Sequence, residues 1–218
     1  MDIELLEPEG AHTATIIWLH GIGQDNDALL PIAEKLGLAR AGVRGVFPRA
    51  PERLRSKTKN IPVRAWFDQN IYNLGDADLD TLAAAESQLR QLVAAEAEQV
   101  GADRVLLAGF SQGAAMALLT ALRYPERLAG ALLYAPYLVT GTRLTSTLAP
   151  SNAGLPVWIG HGRDDLVIPV QIGGRAREIL RMQGYPVEWH WYPAGHVPFE
   201  GALDDVRAFL GALGFLGS

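Results

Sequence analysis

Gly109-Phe110-Ser111-Gln112-Gly113 places a hydroxyl between two glycines, each two residues away. That G-x-S-x-G spacing is what a nucleophilic serine needs on a sharp strand-to-helix turn, where its side chain is pushed into the open and the glycines leave room for crossing backbone. A helix starting at the same point would aim free N–H groups and its positive dipole end at a developing oxyanion. The motif is short and weak alone. It gains weight because Arg104-Val105-Leu106-Leu107-Ala108 reads as a buried strand just before it and Gln112 to Tyr124 as an apolar helix just after it.

A serine nucleophile needs a base and an acid, which in this architecture follow the serine in the order acid, then histidine. His196 stands in Pro193-Ala194-Gly195-His196, at the end of the strand expected over Val187–Tyr192, where catalytic groups gather in open α/β sheets. His190 lies within that strand and is expected to point to one face of it. For the acid, Asp164 and Asp165 follow the strand Val157–Gly160, and either could accept an imidazole N–H. His161 and His20 read as structural. Acyl transfer also needs two donors at the oxyanion, one after the nucleophile and one from an early loop. Those are the backbone N–H groups of Gln112 and of Ile22 in Leu19-His20-Gly21-Ile22-Gly23.

The elements that would position these groups alternate along the chain. Further short apolar runs lie at Thr15–Leu19, Gly45–Phe47 and Ala131–Tyr134, and all the runs fit strands buried on both faces of a parallel sheet. Helical patterns cover Asp78–Val100, Ile172–Met182 and Phe199–Leu213, with Asp78 a candidate cap and Pro198 placed where a helix start tolerates it. The expected fold is α/β, a mostly parallel central sheet with helices on both faces, in a single domain over 1–218. Pro48–Ile61 reads as one long irregular stretch carrying Arg53, Arg55, Lys57 and Lys59, a candidate rim for anionic substrates.

Composition narrows the classes. The chain has 218 residues, 49% of them hydrophobic, a net charge of -5 and no cysteine. Nucleic acid is not the expected partner, because phosphate binding needs a concentrated basic face. Thiolate metal sites and disulfides are ruled out, and no H-E-x-x-H cluster suggests a metal, so neither metal nor cofactor is expected. The acidic start lacks the apolar core of a secretory signal, and no run of about 20 apolar residues would span a membrane. A cytoplasmic protein is expected, and a homodimer is compatible with the sequence.

With these segments placed, the chain resembles the carboxylesterase, phospholipase-like and acyl-protein thioesterase family of α/β-hydrolases over nearly its whole length. The resemblance rests on Leu19–Gly23, Phe47-Pro48-Arg49-Ala50-Pro51, Ala65-Trp66-Phe67-Asp68, Gly109–Ala114, His161-Gly162 through Pro169, and Gly195-His196. It implies Asp165 as the acid, four residues after His161, and leaves Asp164 to the turn. It also implies an acyl channel partly covered by the segment before Trp66, with Trp66 and Phe67 against the substrate. Leu166 stands where the family commonly has proline. The covering loop is basic rather than apolar, which directs the expectation toward a small-molecule ester of short or medium acyl chain. The alternatives are an acyl-protein thioesterase or lysophospholipase, and, from another class, a ligand-sensing binding protein on the hydrolase scaffold.

Overall fold

The computed structural model describes residues 1–54, 62–70, 73–139, 148–198 and 200–217. Its strands are β1 (Ile3–Leu6), β2 (Ala14–Leu19), β3 (Val43–Pro48), β4 (Glu52–Leu54), β5 (Pro62–Arg64), β6 (Gln69–Asn70), β7 (Asn73–Ala77), β8 (Val105–Phe110), β9 (Gly130–Tyr134), β10 (Val157–Gly162) and β11 (Val187–Tyr192). Its α-helices are α1 (Leu30–Leu36), α2 (Leu79–Val100), α3 (Gln112–Arg123), α4 (Val170–Met182) and α5 (Leu203–Ala212).

Seven strands form the central sheet in the order β1-β3-β2-β8-β9-β10-β11. All neighbours are parallel except β1, which runs antiparallel to β3. Every residue of β2, β8, β9 and β10 is buried, as two-sided apolar runs require. Alternation along those strands divides the core. Ile17, Leu107, Leu133 and Ile159 face α2 and α3, while Ile16, Leu106, Leu132 and Trp158 face α1 and α5.

The sheet has a topological switch point. From β2 the chain moves outward to β3, and from β8 it moves the other way through β9, β10 and β11. The crevice between the carboxyl ends of β2 and β8 is therefore not bridged by a connection, and such crevices bind ligands.

Helix ends follow local chemistry. Asp78 caps α2 by accepting from the Thr81 N–H at 2.8 Å. Gly37 ends α1 in the left-handed region at φ 74°, which a side chain there would strain. α3 is buried from Gln112 to Leu122, so an all-round apolar sequence is its solution rather than an amphipathic one.

Several expectations change. β11 is an edge strand with no residue fully buried, because only β10 flanks it. Phe199 lies outside the described residues, and α5 begins at Leu203 after a 3-10 turn at Glu200–Ala202, so Pro198 does not open it. α4 begins at Val170 behind Pro169, two residues before the apolar pattern suggests. Part of the supposedly irregular Pro48–Ile61 stretch is β4, which pairs with β5 as a hairpin. Among the described residues no helix is long and apolar enough to cross a membrane.

Candidate active site

Ser111 follows the last residue of β8 and precedes the first residue of α3. Its backbone sits at φ 55°, ψ -118°, a strained conformation for a residue with a side chain. The Ser111 N–H donates to the Tyr134 carbonyl at 2.9 Å and its own carbonyl accepts from Ala115 at 3.0 Å, so both sides of the turn are pinned. The flanking glycines are required by close approach. A Cβ on Gly113 would lie 2.0 Å from the Leu19 carbonyl oxygen, and one on Gly109 would lie 2.6 Å from the Gly113 carbonyl. α3 is thus seated directly on the end of β2, which brings the serine beside the early loop.

His196 and Asp165 reach the serine from the same edge of the sheet. Their loops are stitched together by the Arg163 N–H to Tyr192 O bond at 2.8 Å and the Asp164 N–H to Ala194 O bond at 3.0 Å. His196 Nε2 is 2.9 Å from Ser111 Oγ, and its Nδ1 is 2.7 Å from Asp165 Oδ2. The imidazole also lies against the Phe110 ring, with centroids 4.7 Å apart. Asp165 is buried, and its Oδ1 accepts N–H bonds from Val167 at 2.9 Å and Ile168 at 2.8 Å. An acceptor-only carboxylate on Nδ1 selects the tautomer that leaves Nε2 bare toward the hydroxyl. The ambiguity between adjacent aspartates resolves geometrically: Asp165 turns inward to the imidazole, while Asp164 is exposed and contributes a backbone N–H.

The early loop shows a different economy. Trp66 Nε1 donates to His20 O, the Gly21 N–H to Gln24 Oε1, and the Gly23 N–H to Arg64 O. Gly21 O accepts from His20 Nδ1 at 2.8 Å and from the Gln24 N–H at 3.2 Å. Between these committed groups, the Ile22 N–H has no acceptor among the described residues. The Gln112 N–H, in the first turn of α3, has no intrahelical acceptor either. His20 itself is buried and takes the Ala50 N–H on Nε2 at 3.1 Å. Burial pushes its pKa down, with the Gly21 carbonyl only partly opposing the shift, so the ring stays neutral and serves as a two-ended clamp.

His161 was a feature the sequence did not place at the acid. It is fully buried, donates from Nε2 to Ile168 O at 2.8 Å, and lies 3.6 Å from Asp165 Oδ2. Burial holds its pKa down as well. His190, in contrast, faces the α5 side, stacked on Trp158 between Glu188 and Asp205, away from the serine.

The residues expected at the substrate are engaged elsewhere where the structure describes them. Trp66 and Phe67 are 1% and 0% exposed, within the core under α2 and α3, and offer no surface to a ligand here. Arg53 does not present a free cation. Its Nε donates to Ala65 O at 3.0 Å and its Nη2 to Trp66 O at 3.2 Å. Arg55, Lys57 and Lys59 lie outside the described residues.

A strained serine between strand and helix, an imidazole on its hydroxyl and a buried carboxylate on the imidazole, at the carboxyl edge of a parallel sheet, place the chain among the α/β-hydrolases. Comparison with known proteins narrows this: the family model described as phospholipase/carboxylesterase matches residues 2–213, and the chain belongs to that family. Acyl-protein thioesterase 1 of Gibberella zeae is 30% identical over 213 residues, spanning 91% of this chain and 90% of its own. A probable carboxylesterase of Oryza sativa is 27% identical over 187 residues, spanning 83% and 70%. The crystal structure of Zea mays acyl-protein thioesterase 2 superposes with a TM-score of 0.85 at 27% identity, covering 97% of this chain and 98% of that one. The chain is a carboxylesterase-type serine hydrolase.

Proposed function

We propose that the protein, as one domain over 1–218, hydrolyses small-molecule esters of short or medium acyl chain through a Ser-His-Asp acyl-enzyme mechanism. The observation that carries this reading is the unbroken run of contacts from Ser111 Oγ to His196 Nε2 and from His196 Nδ1 to Asp165 Oδ2, at 2.9 and 2.7 Å.

In this reading His196 Nε2 removes the hydroxyl proton as Ser111 Oγ bonds to the acyl carbon, and the carbonyl π pair moves onto oxygen. The N–H groups of Ile22 and Gln112 take the resulting oxyanion. As it collapses, the imidazolium returns its proton to the leaving oxygen and the alcohol departs. Water then repeats the sequence on the acyl-serine, releasing the acid and restoring the hydroxyl. Asp165 stays ionised throughout and stabilises the transient imidazolium.

A thioester is the second reading, favoured by the names of the Gibberella zeae and Zea mays relatives. The machinery is the same, and only the leaving group changes from alcohol to thiol. Turnover of a panel of p-nitrophenyl esters and acyl-thiol substrates of graded chain length tests both. Ser111→Ala should abolish turnover and labelling by a fluorophosphonate while melting near wild type. Labelling that persists in the variant would remove Ser111 from the mechanism, and near-single turnover across the panel would favour a binding protein instead.

A further inference from the structure

Sheet pairing between β2 and β8 ends at Leu19 and Gly109, short of Ile22 and Gln112. Beyond that register, the hydrogen bonds that reach both donor segments run, among the described residues, through one stretch of chain, residues 64–67. Trp66 is its centre. Its indole Nε1 donates to His20 O at 2.9 Å, and its backbone N–H donates to Gln112 Oε1 at 2.9 Å. Gln112 Nε2 donates to Phe67 O at 2.9 Å, and Arg64 O accepts the Gly23 N–H at 2.8 Å. The stretch therefore holds the early loop on both sides of Ile22 and holds the side chain of the residue after the nucleophile.

We propose that Trp66 is a positioning residue, a strut that fixes the Ile22 and Gln112 N–H groups relative to each other so that both reach one oxyanion. The strut itself is braced. Arg53 binds the carbonyls of Ala65 and Trp66 from the outer side, and the neutral His20 ring packs on the indole with centroids 5.3 Å apart. Burial alone does not require this arrangement. Trp18 and Trp158 are equally buried, yet their indole N–H groups have no partner among the described residues. Only at Trp66 does the indole meet the carbonyl that β2 leaves behind where its ladder stops.

The consequence is specific to the transition state. Donors that loosen by a few tenths of an ångström lose contact with charge that exists only as the tetrahedral species forms, so turnover falls while ground-state binding does not. A merely structural tryptophan would change stability, or KM, without that split.

The inference rests on the acyl-transfer reading above, and the experiment separates the two. Trp66→Phe keeps a ring in the slot and deletes the indole N–H. Gln112→Met keeps the backbone donor and deletes both side-chain bonds to the strut, together with the longer one from Gln112 Nε2 to Gln69 Oε1 at 3.3 Å. Each should lower kcat about 10-fold, a fraction of the 100- to 1000-fold cost of losing a donor outright, with KM changed less than about 3-fold. The inhibition constant of a trifluoromethyl ketone, which forms the oxyanion on Ser111, should rise in step with the loss of kcat. The double variant should lose no more than about 3-fold beyond the worse single, because both changes act on one strut. A folded Trp66→Phe with wild-type kcat, or multiplicative losses in the double variant, would overturn the strut. If Trp66→Phe does not fold, Gln112→Met carries the same readouts, and a wild-type kcat there overturns it equally. Full turnover by Ser111→Ala would instead overturn the mechanism on which the strut depends.

Discussion

Gly113 is the position where one added methyl group tests both the seating of α3 and the geometry of the serine. Its Cβ would stand 2.0 Å from the Leu19 carbonyl oxygen and 2.5 Å from the His20 carbonyl oxygen. A tolerable C···O approach is about 3.3 Å, so α3 and the end of β2 must part by about 1.3 Å. Neither side can rotate away, since all the atoms concerned are backbone. Overpacking usually costs about 1–3 kcal/mol, and this case belongs at the upper end or above it. At about 2–4 °C per kcal/mol for a chain this long, Gly113→Ala should melt at least about 6 °C below wild type. Turnover should fall further than stability implies, because a displacement of about 1 Å at a reacting group costs about 100-fold. Gly174 supplies the control. It lies within α4 with open space around its missing Cβ, so Gly174→Ala should gain about 0.4–1 kcal/mol and leave turnover alone. Thermal melts followed by circular dichroism, with hydrolysis of an activated short-chain ester, read both. A Gly113→Ala that melts and turns over like wild type would refute the close seating of α3 on β2.

The paired aspartates should separate cleanly. Asp165→Asn keeps an oxygen for the Val167 and Ile168 N–H groups but presents the wrong partner to His196, and turnover should fall by up to about 10⁴-fold, whereas Asp164→Asn should stay near wild type. Comparable losses from both would place the orienting acid elsewhere. Acid should destabilise the fold through its two neutral, buried histidines. His20 and His161 both have pKa values lowered by burial, so below about pH 6.5 the unfolded chain takes protons that the folded chain refuses. Stability should drop as pH falls from there toward the lower folded values, by up to about 1.4 kcal/mol per pH unit for each ring. Melting temperatures at pH 7.5, 6.5 and 5.5 should show a shallower acid slope in a His20→Gln, His161→Gln double variant, and an equal slope would contradict the argument.

What the sequence revealed and what it concealed divide along a physical line. β8, β9 and β10 were legible because a strand buried on both faces must be apolar throughout, and few other structures ask for that pattern. β1 was not, since it is largely exposed, carries Glu4, and is held by backbone pairing to β3 that leaves little mark on side-chain choice. The same reasoning covers β11, whose aromatic run looks like an interior strand but packs only one neighbour. At the site, the sequence singled out Ser111 and His196 because each sits where a strand ends in a glycine-bearing turn. The contact of His161 with Asp165 could not, because it depends on how the chain from Gly162 to Ile168 curls back over its own strand.

Charge was the least readable property of all. Arg53 stands in a run of basic residues that suggests a surface field, but its guanidinium has been drawn inward to two carbonyls. A guanidinium has five donors in a rigid fork and is the side chain best suited to satisfy carbonyls that no ladder reaches. The Ala65 and Trp66 carbonyls are of that kind, since β5 ends at Arg64. Backbone groups in the loops at the ends of β2 and β5 have no sheet partner, and each that is buried needs another. Trp66, Gln24 and Arg64 supply partners to His20, Gly21 and Gly23, while Arg53 and Gln112 supply them to residues 65–67. Among the described residues the N–H groups of Ile22 and Gln112 have no acceptor, one in the loop after β2 and one at the start of α3 behind β8. Under the proposed mechanism, an oxyanion carried by the substrate is the acceptor for both.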